Sequence, residues 1–524
     1  MRDLVVCCDG TWQDTTARSN VSRLHDLLEP PAVPHYVRGV GAGGNLVNKL
    51  RGGLTAAGLT EALLDGYRFL VDEYQPGDRI SLFGFSRGAY TARSLAGMIG
   101  RVGIVDRAGL DEQGVGALVR RAGARYEARR AQRRAGQDAG SETLLTAPTD
   151  EDEALPLAYD PDSPDIPVAF IGVWDTVGAL GIPSYIGVPD VLHSRERYEF
   201  LNVVLDPRIP HARHAVSLDE MRGPFRPTLW EEPPADATQD IRQVWFPGDH
   251  CDVGGGHTDA RLSSGALRWM VDEAAAAVGL PFRLAERAAI ASDPVNGSLH
   301  GLGQEPWGAV IEAAFQPRPR ATPLVDPDRR LPDLIDDSAY ERQKATRNDE
   351  KPYRPSRTLQ PGEAADVVVE ATEGWNATGL YLERGRYRFT AAGQWRTPFG
   401  HSGPQGATPW PAVGDAFGGV VNLVERGLRR VLANPEAELA GARREATQPL
   451  MVLVGLVANE VTDARGRVAE REGTPQVHQK LIIGAGCDAD VERPGYLWAY
   501  ANDAWGTYGN NSGRVTLTVT RPLP

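Results

Sequence analysis

The sequence predicts two architectures in succession: a mostly parallel sheet with flanking helices, then an all-β sandwich. Three observations carry this prediction. Buried-strand runs (Leu4–Cys8, Arg79–Phe83, Val168–Trp174, Gln243–Phe246) alternate with helical patterns through the first 320 residues. Each run stops at a loop bearing glycine or an acid, where parallel α/β sheets place ligand-facing groups. From Ala365 the pattern changes to short strands with glycine-bearing turns, ending in the alternating run Val515–Val519.

Taken in order, Leu4–Cys8 reads as a first buried strand ending at Asp9-Gly10-Thr11-Trp12. Apolar residues at Leu59, Leu63, Tyr67, Leu70 and Tyr74 fall on one helical face, and Pro76-Gly77-Asp78 ends that helix. The next strand runs into Gly84-Phe85-Ser86-Arg87-Gly88, followed by a helical segment to Gly100. A serine between two glycines at a strand-to-helix junction is the nucleophile-elbow pattern. The glycines let backbones pass, Ser86 is presented above the sheet, and the Arg87 N–H sits at a helix N-terminus facing a developing oxyanion. Between Val105 and Asp165 lies a charged insertion. Its arginines (Arg120, Arg121, Arg125, Arg129, Arg130, Arg133 and Arg134) suit either a solvated face or anionic headgroups.

Val168–Trp174 ends at Asp175, and Gln243–Phe246 ends at Pro247-Gly248-Asp249-His250. Ser86, Asp175 and His250 thus follow the chain order nucleophile, acid, base, each at a predicted strand end. Two alternatives stand beside this reading. Asp219-Glu220 is a second candidate for the acid, and His250, Asp252 and His257 could hold a metal in one glycine-rich loop. Asp9-Gly10-Thr11 is similar to the haloacid-dehalogenase phosphatase motif, but Cys7 occupies the position of its nucleophilic aspartate.

Composition bounds the function. The chain has 524 residues, 41% hydrophobic and 24% charged, which suits a soluble protein of two domains or more. A net charge of −13 argues against nucleic acid as a main partner. Four cysteines without Cys-x-x-Cys spacing form neither a disulfide framework nor a zinc motif. With no apolar run long enough for a signal peptide or a membrane span, the expectation is a soluble protein, cytoplasmic or exported without a cleaved signal.

Five motifs recur together, in this order, in one family: Cys8-Asp9-Gly10-Thr11-Trp12, Gly84–Ala89, Val173–Gly178, His214–Glu220 and Pro247–Gly256. Over roughly residues 1–320 the chain resembles the uncharacterised α/β-hydrolase family that includes the type VI secretion lipase effectors of the first phospholipase class. That resemblance implies a serine esterase, phospholipase-like, acting on a lipid or other ester. It makes Ser86 the nucleophile, Asp175 the orienting acid and His250 the base, with no cofactor required for the chemistry. The backbone of Arg87, with the Gly10–Thr11 loop, is expected to form the oxyanion hole. Cys251 stands where many members have serine.

Residues 321–362, rich in Pro, Asp and Arg, are expected to be a surface linker to a domain spanning 363–524. Asn502–Gly513 is dense in oxygen-bearing side chains and glycine, which suits calcium or an Asn-Gly hairpin. The string resembles the calcium and sugar loop of LecA-type galactophilic lectins, as do Ala391-Ala392-Gly393 and Asp415–Gly419. The resemblance implies a jelly-roll-like sandwich in which Asp503, Thr507, Asn510 and Asn511 bind Ca²⁺, a carbonyl near Phe399 completing the site. Sugar hydroxyls would coordinate the same ion. The lectins' His-Pro-Asp-Gln loop is altered here, leaving His401 and Gln405 as carbohydrate candidates. The implied partners are a glycan or glycolipid and a membrane surface. The rival reading is a carbohydrate-binding protein whose hydrolase half is a non-catalytic scaffold.

Overall fold

The computed structural model describes residues 1–10, 18–39, 56–138, 154–177, 205–301, 317–345, 352–398, 400–407, 444–462, 468–471 and 474–524. The first half is built on a six-stranded sheet in the order β2-β1-β3-β6-β7-β8, with every neighbouring pair parallel. Its strands are β1 (Asp3–Cys8), β2 (Ala32–Val37), β3 (Arg79–Phe85), β6 (Val168–Trp174), β7 (His211–Ser217) and β8 (Asp240–Phe246). The short pair β4 (Ile104–Val105) and β5 (Leu157–Tyr159) forms a separate ribbon.

The apolar run of β1 shows why such strands lack alternation. Leu4, Val6 and Cys8 enter the core on one face, while Val5 and Cys7 enter the core on the other. Successive side chains point oppositely, so a sheet covered on both sides needs apolar residues at every position. The first core is closed by α2 (Ala56–Glu73), α3 (Arg87–Val102) and α4 (Glu112–Asp138), the second by α1 (Asn20–Leu27) and α6 (Arg261–Val278). The arginine-rich helix is present as α4, and it buries Val115, Val119, Ala122 and Tyr126. Among the described residues no helix is long and apolar enough to cross a membrane.

Strand order reverses between β1 and β3: the chain leaves β1 toward β2 at one edge and leaves β3 toward β8 at the other. In open α/β sheets such a point leaves a crevice at the strand C-termini. Cys8 is in register with Gly84, so the ends of β1 and β3 lie side by side there.

Among the described residues the second half contains two five-stranded antiparallel sheets, β10-β19-β14-β13 with β17, and β12-β11-β20-β9 with β18, where β12 is Gly400–Ser402, β13 Gln405–Ala407, β17 Gln479–Ile482 and β18 Gly486–Val491. Leu380, Leu453, Val457 and Leu497 from the first share one core with Val369, Phe389, Trp395 and Leu517 from the second. The principal strands are β9 (Ala364–Glu370), β10 (Asn376–Leu382), β11 (Gly385–Thr397), β14 (Leu450–Ala458), β19 (Gly495–Ala501) and β20 (Ser512–Thr520).

The expected linker behaves otherwise. Val325, Ile335, Ala339 and Tyr340 pack on Val216 and Trp245 of the six-stranded sheet and on Leu218, just past β7. Ile335 makes a parallel bridge to Trp245, next to the edge that β8 leaves open. A helix, Asp337–Lys344, starts from the Asp336 N-cap inside this segment. Scattered apolar residues between prolines suffice because they meet an unpaired edge, a partner that sequence periodicity does not reveal.

Candidate active site

Ser86 follows β3 and is the N-cap of α3, with φ 57° and ψ −121°. A serine pays steric strain at such angles, and the surrounding turn holds it there. Both flanking glycines are required by close approach. A Cβ on Gly84 would stand 2.4 Å from the Gly88 carbonyl oxygen, and one on Gly88 would stand 2.1 Å from that of Cys8. The Ser86 N–H donates to the Trp174 carbonyl at 3.1 Å, which ties the elbow to the residue before Asp175.

Asp175 is fully buried and also has positive φ, 31°. Its Oδ2 lies 2.7 Å from His250 Nδ1. Its Oδ1 accepts from the Ser217 backbone at 3.0 Å and from Arg320 Nη1 at 2.8 Å, and Arg320 Nη2 reaches Oδ2 at 3.2 Å. Burial opposes ionisation of this carboxyl, yet Arg320 and then His250 hold it well below the usual carboxylate range. The His250 imidazole sits between Phe85, with centroids 4.6 Å apart, and the edge-on ring of Phe225 at 5.0 Å. It opens the short helix α5 (His250–Gly254), where Asp249 and Asp252 form a capping box.

The alternative acids are engaged elsewhere. Asp219 accepts from Gly248, Tyr353 and Arg354. Glu220 pairs with Arg222 at 2.6 Å and accepts the His250 backbone N–H at 3.3 Å, so it supports the histidine's main chain while Asp175 meets its ring. The expected His250–Asp252–His257 grouping is also rearranged. Asp252 meets His300 Nδ1 at 2.6 Å, His257 meets Asp249 at 3.1 Å, and the His257 and His300 rings stack at 3.7 Å. Among the described residues, Asp252, His257 and His300 are the group whose ligand atoms lie mutually within 4.8 Å, and His250 stays with Asp175.

The oxyanion expectation changes in one part. Gly10 donates its N–H to the carboxylate of Asp9 at 2.7 Å, so that donor is already engaged. Buried Asp9 must be satisfied locally, and Ser19 and Tyr36 donate to it as well. Thr11 lies outside the described residues. The Arg87 N–H, at the start of the 16-residue α3, keeps the expected position.

Sequence reasoning missed Arg320 and the role of His214. His214 is buried on β7 and accepts the Thr176 N–H on Nε2 at 3.0 Å, bracing the turn after Asp175. Burial, with Arg93 nearby, lowers its pKa to about 3, so it is neutral in this role. His214 stood inside a recognisable motif, whereas Arg320 had no local signal among the prolines and arginines around it.

In the second half, Asp503, Thr507, Asn510 and Asn511 share one turn around a 3₁₀ segment, Tyr508–Asn510. Asn511 Nδ2 donates to Asp503 Oδ2 at 2.7 Å, while buried Asn511 Oδ1 has no hydrogen-bond partner. An orphaned carbonyl oxygen beside a carboxylate fits a hard cation, which takes such oxygens as ligands. His401 pairs with Arg396, which pairs with Ser512 across the next strand, so His401 lies two strands from this turn. His401 and Gln405 are exposed. Phe399 and Asp415–Gly419 lie outside the described residues.

A parallel sheet with a strained Ser at its switch point and an Asp–His pair brought together from the ends of β6 and β8 defines an α/β-hydrolase-like architecture. The chain belongs to the family described as "T6SS, Phospholipase effector Tle1-like, catalytic domain", which matches residues 2–273, just over half its length. It is 31% identical over 244 residues to an uncharacterised protein, YEL023C, of Saccharomyces cerevisiae. The match covers 43% of this chain and 32% of that protein, so the chain spans about a third of that relative. Among solved structures it is similar to a Tle1 effector bound to the VgrG spike of the type VI secretion system. There the identity is 16%, over 49% of this chain and 51% of that one, with TM-score 0.25. An esterase from the planctomycete Thermogutta terrifontis is 14% identical over 53% of this chain and 84% of its own, with TM-score 0.28. The EclA N-terminal domain, a PllA-like lectin, is 16% identical over 30% of this chain and 93% of its own, with TM-score 0.17.

Proposed function

We propose that this protein is a serine esterase of phospholipase type, cleaving a carboxylic ester of a lipid through an acyl-Ser86 intermediate. The observation that carries the reading is the 2.7 Å Asp175–His250 contact, with the His250 ring packed on Phe85 and the next residue, Ser86, held at φ 57° on a strand-end turn. His250 Nε2 takes the Ser86 proton as Oγ attacks the ester carbonyl, and Asp175 stabilises the imidazolium through Nδ1–H. The Arg87 N–H stabilises the tetrahedral oxyanion. Collapse expels the alcohol, which leaves with the proton from His250. Water, deprotonated by the same imidazole, then releases the carboxylate and frees Ser86. Family membership supports lipid esters as the substrate class and export by a type VI apparatus as the route.

A fluorophosphonate probe tests the mechanism without knowledge of the substrate. The wild type is expected to label stoichiometrically and Ser86→Ala not at all. An unlabelled wild type would favour the rival reading, a carbohydrate-binding protein on a silent scaffold.

The second half is proposed to be a LecA-like, jelly-roll-like module that binds Ca²⁺ through Asp503, Thr507, Asn510 and Asn511, and through the ion a glycan or glycolipid. His401 and Gln405 would contact the sugar. Docking on such a surface raises the local concentration of ester substrate. Bound ligand stabilises the native state, so millimolar Ca²⁺ is expected to raise Tm by several degrees. Asp503→Ala should remove the rise, and an equal rise in the variant would overturn this ligand set.

A further inference from the structure

We propose that the C-terminal sandwich is part of the hydrolase's catalytic apparatus: Glu460, His478 and Trp375 hold the segment Pro317–Arg320 so that Arg320 fixes Asp175. This inference rests on the proposed role of Asp175 as the acid that orients His250.

Arg320 reaches across the strand ends from a segment that follows the hydrolase sheet. Besides Asp175 it donates to the Ser217 carbonyl at 2.8 Å and to that of Phe225, so its planar fork has one orientation. Each of the three residues before it is gripped from the second domain. Trp375 Nε1 donates to the Pro317 carbonyl at 2.6 Å, and Arg318 pairs with Glu460 at 3.3 Å. His478 Nε2 donates to the Pro319 carbonyl at 2.9 Å. The hydrolase domain supplies a contact of its own, from the Arg318 N–H to the Met221 carbonyl at 2.6 Å.

Glu460 reaches the other flank of the site too. Its Oε1 takes Arg226 Nε at 2.7 Å, and Arg226 follows Phe225, whose ring packs on His250 and whose carbonyl receives Arg320. One buried carboxylate of the sandwich thus anchors both backbone segments that enclose the Asp175–His250 pair. His478 joins the arrangement as a neutral imidazole. Its Nδ1 accepts the Glu460 N–H at 2.9 Å, which leaves the proton on the nitrogen facing Pro319. Burial pushes His478 down to about 4, in keeping with that tautomer. Burial opposes charge on Glu460 as well, but His478 in its protonated form, Arg226 and Arg318 pull it down to about 2. Near neutral pH, where His478 is neutral, Arg226 and Arg318 balance the carboxylate.

The consequence for the reaction is electrostatic and geometric. The charged groups around His250 are Asp175 with Arg320, Glu220 with Arg222, and Asp249 and Asp252 on its own helix. Arg320 shares the charge of Asp175 and sets the plane of its carboxylate. Without it the full negative charge of Asp175 faces the imidazole and the plane of the carboxylate is no longer set. Arg320 is therefore a positioning residue, and Glu460, His478 and Trp375 act through it.

The test uses the full chain and the pH dependence of fluorophosphonate labelling at Ser86. Arg320→Gln is expected to label about tenfold more slowly near neutral pH, with the acid limb moved to higher pH and partial rescue by Arg320→Lys. Glu460→Gln and Trp375→Phe should move the limb the same way by a smaller amount, Tm being recorded for each. Folded Glu460→Gln and Trp375→Phe variants with wild-type rates and an unmoved limb would overturn the role of the sandwich. Should the wild type itself not label, the serine mechanism has failed. The downfield Nδ1–H proton resonance of His250 then decides this inference alone: it shifts or broadens in Glu460→Gln, or the clamp is refuted.

Discussion

Asp175→Asn is expected to lower kcat by about 10³–10⁴-fold, a loss of the size that a triad acid makes when its charge is removed. The amide cannot stabilise an imidazolium, and with its NH₂ toward His250 it selects the wrong tautomer. The same change strands Arg320, buried at 9% exposure, without its anion. Breaking a buried pair from one side typically costs about 3–5 kcal/mol, because the remaining charge is desolvated and unpaired. The variant should therefore lose both activity and stability. Asp175→Asn combined with Arg320→Met removes both partners and should recover much of the lost Tm while staying inactive. Chemical denaturation and probe labelling of the single and double variants check this. If the double variant is no more stable than Asp175→Asn alone, Arg320 and Asp175 are not energetically coupled.

Gly88→Ala should be the second most damaging change. Its methyl would stand 2.1 Å from the Cys8 carbonyl oxygen and 2.5 Å from that of Asp9, both backbone atoms of the neighbouring strand end. Neither can step aside without parting β1 from α3, so a cost of about 3 kcal/mol or more is expected, with loss of labelling. Ser86→Gly makes the informative contrast, since glycine tolerates φ 57° and should raise stability by about 1 kcal/mol while abolishing labelling. Equal stability of Gly88→Ala and wild type in urea titrations would show that the elbow has more room than its packing implies.

Much of the fold was readable because its signals are local. β1, β3 and β6 announce themselves as apolar runs bounded by glycine or an acid, and α2 as a one-sided stripe ended by Pro76-Gly77. The elbow was legible for the same reason: Gly84 and Gly88 flank Ser86 at the two positions where the turn leaves no room for a Cβ. The strap that follows the hydrolase sheet was not legible. Its Val325, Ile335 and Tyr340 have no period, and they are buried only because β7 and β8 offer an uncovered surface.

The sequence by itself determined the two architectures, the ends of β1, β3, β6 and β8 and the chain order Ser86, Asp175, His250, since each is written in neighbouring residues and in backbone requirements. Only the tertiary structure decided which acid meets the imidazole, that Gly10 gives its N–H to Asp9, and that Arg320 closes on Asp175. Those outcomes depend on groups far apart in the chain, and their partners are chosen by how sheet, strap and sandwich pack. Arg320 and Asp175 are 145 residues apart, and Glu460 is a further 140 beyond Arg320. No local pattern encodes a contact of that kind, because the free energy that selects it comes from burying and pairing charges brought together by the completed fold.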